Sequence, residues 1–309
     1  MRMNPNMGRR IAAILAAAFS MTLPAFAHPL TGIVVGDKGQ VYFTHGNVGI
    51  WKIDTADKLA LIDGPAYHHM IADPKGAFVK HRWPHFPDGV IEATGKDPVL
   101  LCASSFPIMI AADGALYYPE IMADDHVHIM RVMPSEKPTD FATLPDAMEI
   151  GFNGAPEKAR WIHGLAAGPD GNLYYAEKAA VRRIDPRGVV TTVAEKIVVP
   201  NCLHPPSIKD DRGGPVLRNL DVAADGTIYV ASSACSAVLR ITQAGAVDVA
   251  LQATDNWSPQ GVAVKGKDLY SLEVQYIDVE LREEWLPRVR KLSADGTVTV
   301  LATVTEIPK

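Results

Sequence analysis

The sequence lacks several features that would place it in other protein classes. It has only three cysteines and no CxxCH motif, which excludes covalent haem attachment. Helical periodicity is nearly absent, and no segment beyond residue 27 approaches the roughly 20 apolar residues that a membrane helix requires. Acidic residues outnumber basic ones, 35 to 30, which argues against nucleic acid and anionic membranes as partners. These absences predict an all-β protein with no integral membrane segment after its N-terminal region.

The N-terminal 27 residues have the pattern of a signal peptide. A basic head, MRMNPNMGRR, precedes the apolar segment IAAILAAAFSMTL, and small residues in PAFA precede an expected cut after Ala27. Cleavage removes three arginines and no acid, so the net charge moves from −5 to −8. We therefore expect residues 1–27 to be a signal peptide, residues 28–309 to form one domain, and the mature protein to be periplasmic or secreted.

One short pattern, a turn followed by an aromatic strand, recurs along the mature chain. Its copies are DKGQVYFTH from Asp37, ADGALYYPE from Ala112, PDGNLYYAE from Pro169, ADGTIYVAS from Ala224 and KGKDLYSLE from Lys265, with a weaker copy, DPKGAFVKH, from Asp73. Self-similarity at a period of about 40 to 50 residues is typical of a β-propeller, in which each repeat is one blade. The sequence predicts a six-bladed β-propeller of four-stranded blades.

The last residue of each copy forms the first group of candidate functional residues, which we call the repeat-end residues. They are expected to meet near the propeller axis, and they are His45, His81, Glu120, Glu177, Ser232 and Glu273. A ring rich in histidines and carboxylates is unusual for a purely structural core. Carboxylate and imidazole groups suit Mg, Ca, Mn or Zn.

The second group lies at the beginning of each innermost strand, and we call its members the inner-strand starts. They are His69, His163, Arg218, Asn219 and Gln260. Since innermost strands line the central channel, these side chains are expected to converge with the repeat-end residues. His163 and His69 are predicted to move protons, and Glu177, Glu120, Glu273 and Asn219 to hold a divalent cation. His45, His81, Trp83, Arg218 and Gln260 are predicted to contact the substrate.

Several of these residues also have structural interpretations. Polar side chains can plug a propeller channel through hydrogen bonds to water and strand ends, without any ligand. The HRWPH segment, with Trp83, is either a substrate wall or a packed loop. His126 and His128 in the HVH motif project to one side of a strand and form either a zinc pair or ordinary surface.

Two cysteines are expected to form a disulfide. Cys202 lies in a polar loop before the fifth repeat, and Cys235 lies in a loop inside that repeat. A bridge between them would constrain a long connection in the oxidising compartment that a signal peptide implies. Cys102 would remain free and buried.

The repeats PDGNLYYAEKAAVRRIDPRG and ADGTIYVASSACSAVLRITQAG resemble NHL repeats and the wider gluconolactonase-like propellers, which include streptogramin lyase. This resemblance implies a central site that holds a divalent cation, with Glu177, Asn219, His163 and Glu273 at positions similar to ligands or bases. It implies a metal-dependent hydrolase or lyase acting on a small ester or lactone. The alternative is a non-catalytic module that binds an envelope protein or glycan, with exposed Trp83, Trp257 and Trp285 as its aromatic surface.

Overall fold

The computed structural model describes residues 30–46, 48–63, 68–78, 90–91, 98–103, 106–150, 156–158, 162–203, 214–275 and 285–306. The described residues contain 25 strands and no helix. Within this part of the chain, no helix is long and apolar enough to cross a membrane. The expected signal peptide, His81 and Trp83 lie outside the described residues.

The strands of the first three blades follow one another along the chain. Blade 1 contains β1 (Ile33–Val35), β2 (Val41–His45), β3 (Gly49–Ile53) and β4 (Leu59–Asp63); blade 2 contains β5 (His69–Asp73), β6 (Val90–Ile91) and β7 (Val99–Ala103); blade 3 contains β8 (Met109–Ile110), β9 (Leu116–Ile121), β10 (Val127–Val132) and β11 (Thr139–Thr143). A separate hairpin, β12 (Met148–Ile150) with β13 (Pro156–Lys158), follows blade 3.

The last three blades are regular antiparallel four-stranded sheets. Blade 4 contains β14 (Gly164–Ala167), β15 (Leu173–Ala176), β16 (Val181–Ile184) and β17 (Val190–Ala194); blade 5 contains β18 (Leu217–Val222), β19 (Ile228–Ser232), β20 (Ala237–Ile241) and β21 (Val247–Gln252); blade 6 contains β22 (Trp257–Lys265), β23 (Asp268–Gln275), β24 (Leu286–Leu292) and β25 (Val298–Thr303).

The first strands of the six sheets form a closed ring. Neighbouring members contact each other in the order β1, β5, β8, β14, β18, β22 and back to β1. The closing contact between β22 and β1 requires a residue without a side chain, because a Cβ on Gly261 would lie 2.4 Å from the carbonyl oxygen of Thr31. Apolar residues of blades 1 and 6, including Phe43 and Leu272, share one core cluster across this closure. The prediction of a six-bladed all-β propeller is confirmed.

The recurring turn explains how the repeats produce these sheets. In blade 4, Gly171 has a φ of 78°, which favours glycine, and its N–H donates to the carbonyl of Gly168 at 3.2 Å. The carboxylate of Asp170 accepts the N–H of Asn172 at 3.1 Å. The chain then reverses from β14 into β15, and the tyrosines of LYYA are buried between neighbouring blades.

Blade 2 departs from the repeat that the sequence suggested. The weak copy from Asp73 should begin a second strand near Ala77, but Ala77 and Phe78 are not in a strand, and β7 pairs with β5 instead. Asp73 ends β5, and its carboxylate accepts the N–H of Phe78 at 2.8 Å. The part of the weak copy that the structure describes, up to Phe78, therefore contains no second strand, and blade 2 has three described strands.

Candidate functional site

The inner-strand starts and the described repeat-end residues lie at the same end of the propeller. In the four-stranded blades the first two strands are antiparallel, so the start of the first strand is next to the end of the second. In blade 4 the N–H of His163 donates to the carbonyl of Ala176 at 2.9 Å, beside Glu177. In blade 5 Leu217 pairs with Ser232.

Contacts between neighbouring blades bring the inner-strand starts into a ring. The hydroxyl of Thr31 in blade 1 lies 2.9 Å from Nδ1 of His69 in blade 2. Gly164, which follows His163, packs so closely on blade 5 that a Cβ there would lie 2.8 Å from Cα of Asn219. His69, His163 and Arg218 are half-buried. This end of the channel therefore has His163 and Arg218 at the starts of the neighbouring strands β14 and β18, and His69 at the start of β5, which β8 separates from β14.

Two of the predicted inner-strand starts instead hold the structure together. Gln260 is fully buried, and its Nε2 donates to Oγ of Ser258 at 2.9 Å. Oδ1 of Asn219 accepts the N–H of Val262 in blade 6 at 3.3 Å. The carboxylate of the next inward-facing residue, Asp221, accepts the N–H of Val264 at 2.7 Å. These contacts join blades 5 and 6 and place Gln260 and Asn219 in structural roles.

The described repeat-end residues face the interfaces between blades rather than the axis. Side chains alternate along a strand, so Leu173 and Tyr175 of β15 share a face, and Glu177, the first residue after the strand, lies on the same side, where it lines a cavity with residues of blade 3. Leu173 and Tyr175 pack in a core cluster with residues of blade 3, whereas Tyr174 packs with residues of blade 5. The same alternation directs Glu273 towards blade 5 and His45 towards blade 6. The expectation that these ends encircle the axis was wrong because they belong to the second strand of each blade.

Glu273 is fully buried in a charge cluster of blade 6. Its Oε2 accepts Nε of Arg288 at 2.7 Å, and its Oε1 accepts Nε of Arg290 at 2.8 Å. Oγ of Ser271 lies 3.2 Å from Oε1. Arg288 also stacks on Trp257, with its guanidinium carbon 4.1 Å from the ring centroid. The carboxylate of Glu273 is therefore committed to two arginines.

Glu177 is also paired with an arginine. Nε of Arg182 lies 3.2 Å from both carboxylate oxygens of Glu177. Glu177 also lines a cavity of about 20 Å³ between blades 3 and 4, whose lining includes Ile162, Asp146 and Lys158. A space of that size holds a water molecule or two rather than a lactone.

The other repeat-end residues are placed as follows. Nε2 of His45 donates to the carbonyl of Trp285 at 2.9 Å, and burial lowers the pKa of this histidine to about 4. Oγ of Ser232 donates to the carbonyl of Pro215 at 2.7 Å. Glu120 is half-buried opposite His128, and among the described residues it makes no hydrogen bond or ion pair. His45 is 1% exposed and is therefore not placed to touch a substrate.

The predicted set of metal ligands does not fit a divalent cation. Glu177 and Glu273 are neutralised by arginines, and Asn219 accepts a backbone N–H. The described part of the chain contains no group of three or more His, Cys, Asp or Glu side chains arranged to hold a metal ion. Of the four predicted ligands, only Glu120 has an uncommitted carboxylate among the described residues.

The structure also places the cysteines of the predicted disulfide and two tryptophans of the predicted aromatic surface. Cys202 and Cys235 form a disulfide with Cα atoms 4.7 Å apart, and Cys102 is free and buried, which raises its pKa to about 12. Trp257 and Trp285 are both buried. The aromatic surface proposed for a binding module is therefore missing at these two positions.

Several residues that bind the candidate site residues were not identified from the sequence. Thr31 fixes His69, and the arginines of the third strands, Arg182, Arg288 and Arg290, neutralise the repeat-end carboxylates. The recurring VRRID and VRKLS segments contained the signal for the arginines, because third-strand residues pair directly with the second strand in an antiparallel sheet.

Comparisons with known proteins support the fold. No family model matches the sequence, and no curated protein is similar to it. Similar solved structures include the calcium-binding protein regucalcin from Agrobacterium tumefaciens, with 12% identity, a TM-score of 0.51, and coverage of 82% of this chain and 86% of that one. They also include virginiamycin B lyase from Staphylococcus aureus, with 16% identity, a TM-score of 0.39, and coverage of 87% of this chain and 83% of that one. A third similar structure is that of a gluconolactonase-like protein, with 16% identity, a TM-score of 0.48, and coverage of 78% of this chain and 84% of that one. At these identities the likeness shows the fold alone, and this chain is a β-propeller similar to the streptogramin B lyase and gluconolactonase-like structures.

Proposed function

We propose that the protein is an exported hydrolase or lyase that acts on a small ester or lactone at the channel end formed by the inner-strand starts. The observation that carries the proposal is that half-buried His69, His163 and Arg218 lie at the starts of innermost strands of the same ring: His69 begins β5, His163 directly precedes β14, and Arg218 lies in β18, the neighbour of β14. Imidazole and guanidinium groups supply the proton transfer and charge stabilisation that carbonyl chemistry needs. The reaction class itself follows from the resemblance of the repeats to gluconolactonase-like propellers, since a fold alone does not fix chemistry. Export is supported by the composition of residues 1–27.

The proposed mechanism uses side chains of the inner ring. The hydroxyl of Thr31 lies 2.9 Å from Nδ1 of His69 and orients this ring for proton transfer. In hydrolysis, one histidine removes a proton from water as its oxygen attacks the carbonyl carbon. Arg218, held at Nε by Ser233 at 3.3 Å, stabilises the oxyanion. The same proton then passes to the leaving alkoxide as the C–O bond breaks. No step uses a cation, because the predicted ligand set does not fit one.

The alternative, a non-catalytic module for an envelope protein or glycan, has less support. Its predicted aromatic surface depended on Trp83, Trp257 and Trp285. Trp257 is stacked on Arg288, and Trp285 is buried with its carbonyl bound to His45. Trp83 lies outside the described residues. We therefore prefer the small-molecule reaction.

A substrate screen with matched variants tests the proposal. The mature protein is assayed with a panel of small aryl esters and aldonolactones, with and without added divalent ions. His69→Gln and His163→Gln are compared with His126→Gln, a surface control. Loss of a general acid or base should lower kcat/KM by about 10²- to 10⁴-fold, whereas the control should retain activity. Absence of turnover across the panel, or full activity in both His69→Gln and His163→Gln, would overturn the proposal.

A further inference from the structure

A cluster of titratable side chains on blade 3 takes no part in the proposed reaction. Its members come from the β9–β10 turn, from β10 and β11, and from the connection after β11; they are Asp124, His126, His128, Asp140 and Asp146. Four chain segments thus meet through imidazole–carboxylate contacts. This arrangement differs from the carboxylate–arginine pairs elsewhere in the propeller, because its charge depends on histidine protonation near neutral pH.

The central contact is His128 between two carboxylates. Its Nδ1 lies 2.8 Å from Oδ2 of Asp140, and its Nε2 lies 3.1 Å from Oδ2 of Asp124. The His128 side chain is 9% exposed, whereas the two carboxylates are about half exposed. A neutral imidazole has a single N–H, so it can donate to only one of them. Both hydrogen bonds exist together only when His128 carries two protons and a positive charge.

The charged groups around His128 favour this protonated state. Glu120 on β9 is its register partner, and Oγ1 of Thr143 on β11 lies 3.4 Å from Nδ1. Among the described residues, neither Asp124 nor Asp140 is paired with a lysine or arginine. Burial of the ring opposes the positive charge, but the hydrogen bonds to Asp140 and Asp124 outweigh it and raise the pKa of His128 above its usual 6.5.

A second set of contacts extends the cluster to the hairpin of β12 and β13. His126 lies 3.6 Å from both Asp124 and Asp146, and Nζ of Lys158 lies 2.8 Å from Asp146. Asp146 and Lys158 line the small cavity next to Ile162, the residue before His163. The β9–β10 turn is thereby linked to the segment that leads into the candidate site.

We propose that Asp124, His128 and Asp140 form a proton-controlled latch, which holds the β9–β10 turn against β11 while His128 is charged and releases it when His128 loses its second proton. Release leaves a lone pair of the ring facing a carboxylate, and that contact becomes repulsive. Because Asp124 also contacts His126, opening also loosens the link to Asp146. The latch is independent of the substrate and stands even if the proposed reaction is wrong.

A histidine titration by NMR tests the chemical part of the proposal. In the mature wild-type protein, His128 should titrate above 6.5, with both nitrogens protonated in the acidic form. Asp140→Asn keeps the size of the side chain but removes one carboxylate charge, so it should lower the pKa of His128. Titration of wild-type His128 at or below the usual value, or no change in Asp140→Asn, would overturn the latch.

Hydrogen exchange tests the structural part. In the closed turn, the N–H of Met122 donates to the carbonyl of His126, and the N–H of Asp125 donates to that of Met122, both at 3.0 Å. After correction for intrinsic rates, protection of these amides should fall several-fold in wild type above the measured transition. In His128→Gln the protection of these amides should not fall with rising pH, whereas in the control His126→Gln it should fall as in the wild type. A pH-independent turn in wild type, or an unchanged fall in His128→Gln, would contradict the proposal.

Discussion

The inner-strand starts and the repeat-end residues occupy the same end of the propeller, one strand apart, but their surroundings differ. His69, His163 and Arg218 are half-buried on the strands that line the channel. Glu273 and Glu177, on the second strands, lie between blades and are bound by arginines. The comparison shows that residues one strand apart differ in their partners: the repeat-end carboxylates Glu177 and Glu273 are bound by arginines, whereas the innermost strands have both the proposed site residues and, at Asn219, a contact that joins blades.

The largest effect on stability is expected from Glu273→Gln. The substitution leaves Arg288 and Arg290 without a buried carboxylate, and breaking a buried pair costs about 3–5 kcal/mol. Urea unfolding of the mature protein measures the loss. If Glu273→Gln unfolds at the same urea concentration as wild type, the assignment of this residue to a structural charge cluster is wrong.

His45 should make the fold sensitive to acid. Its pKa is lowered from 6.5 to about 4, so the folded state resists protonation. Its contribution to stability is complete above 6.5 and is lost progressively as the pH falls towards 4, by about 3 kcal/mol in total. His45→Gln keeps a donor for the carbonyl of Trp285 but cannot titrate there. The difference in unfolding free energy between the two proteins should therefore depend on pH; parallel curves would contradict this account.

Glu177→Gln should have a smaller effect. Its side chain and that of Arg182 are 13% and 20% exposed, so solvent screens the pair more than the cluster at Glu273. We expect a loss of about 1 kcal/mol in the free energy of unfolding. Thermal unfolding of Glu177→Gln and Glu273→Gln, measured side by side, compares the two losses of stability. A larger loss in Glu177→Gln than in Glu273→Gln would contradict the prediction.

Glu120→Gln should have the smallest effect, within about 0.5 kcal/mol. Glu120 makes no hydrogen bond or ion pair among the described residues, so the substitution breaks no charged contact. The same urea measurement serves as a control for the other carboxylates. A large destabilisation would mean that Glu120 has a structural partner in the folded protein.

The sequence predicted the blades well because the turn geometry and the aromatic strand recur together. It predicted the radial position of the site poorly. Leu173 and Tyr175 of β15, and Glu177 directly after it, all lie on the interface with blade 3, but this follows only once the strand order within a blade is known. Blade 2 has only a weak copy of the repeat, so its strands were the least clearly marked in the sequence.

The partners of the repeat-end carboxylates were harder to predict. Arg288 and Arg290 reach Glu273 from the third strand. The connection between the second and third strands is longer in blade 6 than in blade 4. The pairing of these arginines with Glu273 depends on strand register, which a variable connection leaves open. Thr31 reaches His69 from another blade, and no local pattern links the two residues.

The most direct test compares His163 and Glu177, which lie side by side in blade 4. Activity towards the best substrate of the screen and the midpoint of thermal unfolding are measured for His163→Gln and Glu177→Gln. The account predicts that His163→Gln loses activity with little change in the midpoint, whereas Glu177→Gln lowers the midpoint with little change in activity. Loss of activity in Glu177→Gln at an unchanged midpoint, with His163→Gln fully active, would contradict the division between the two groups of residues.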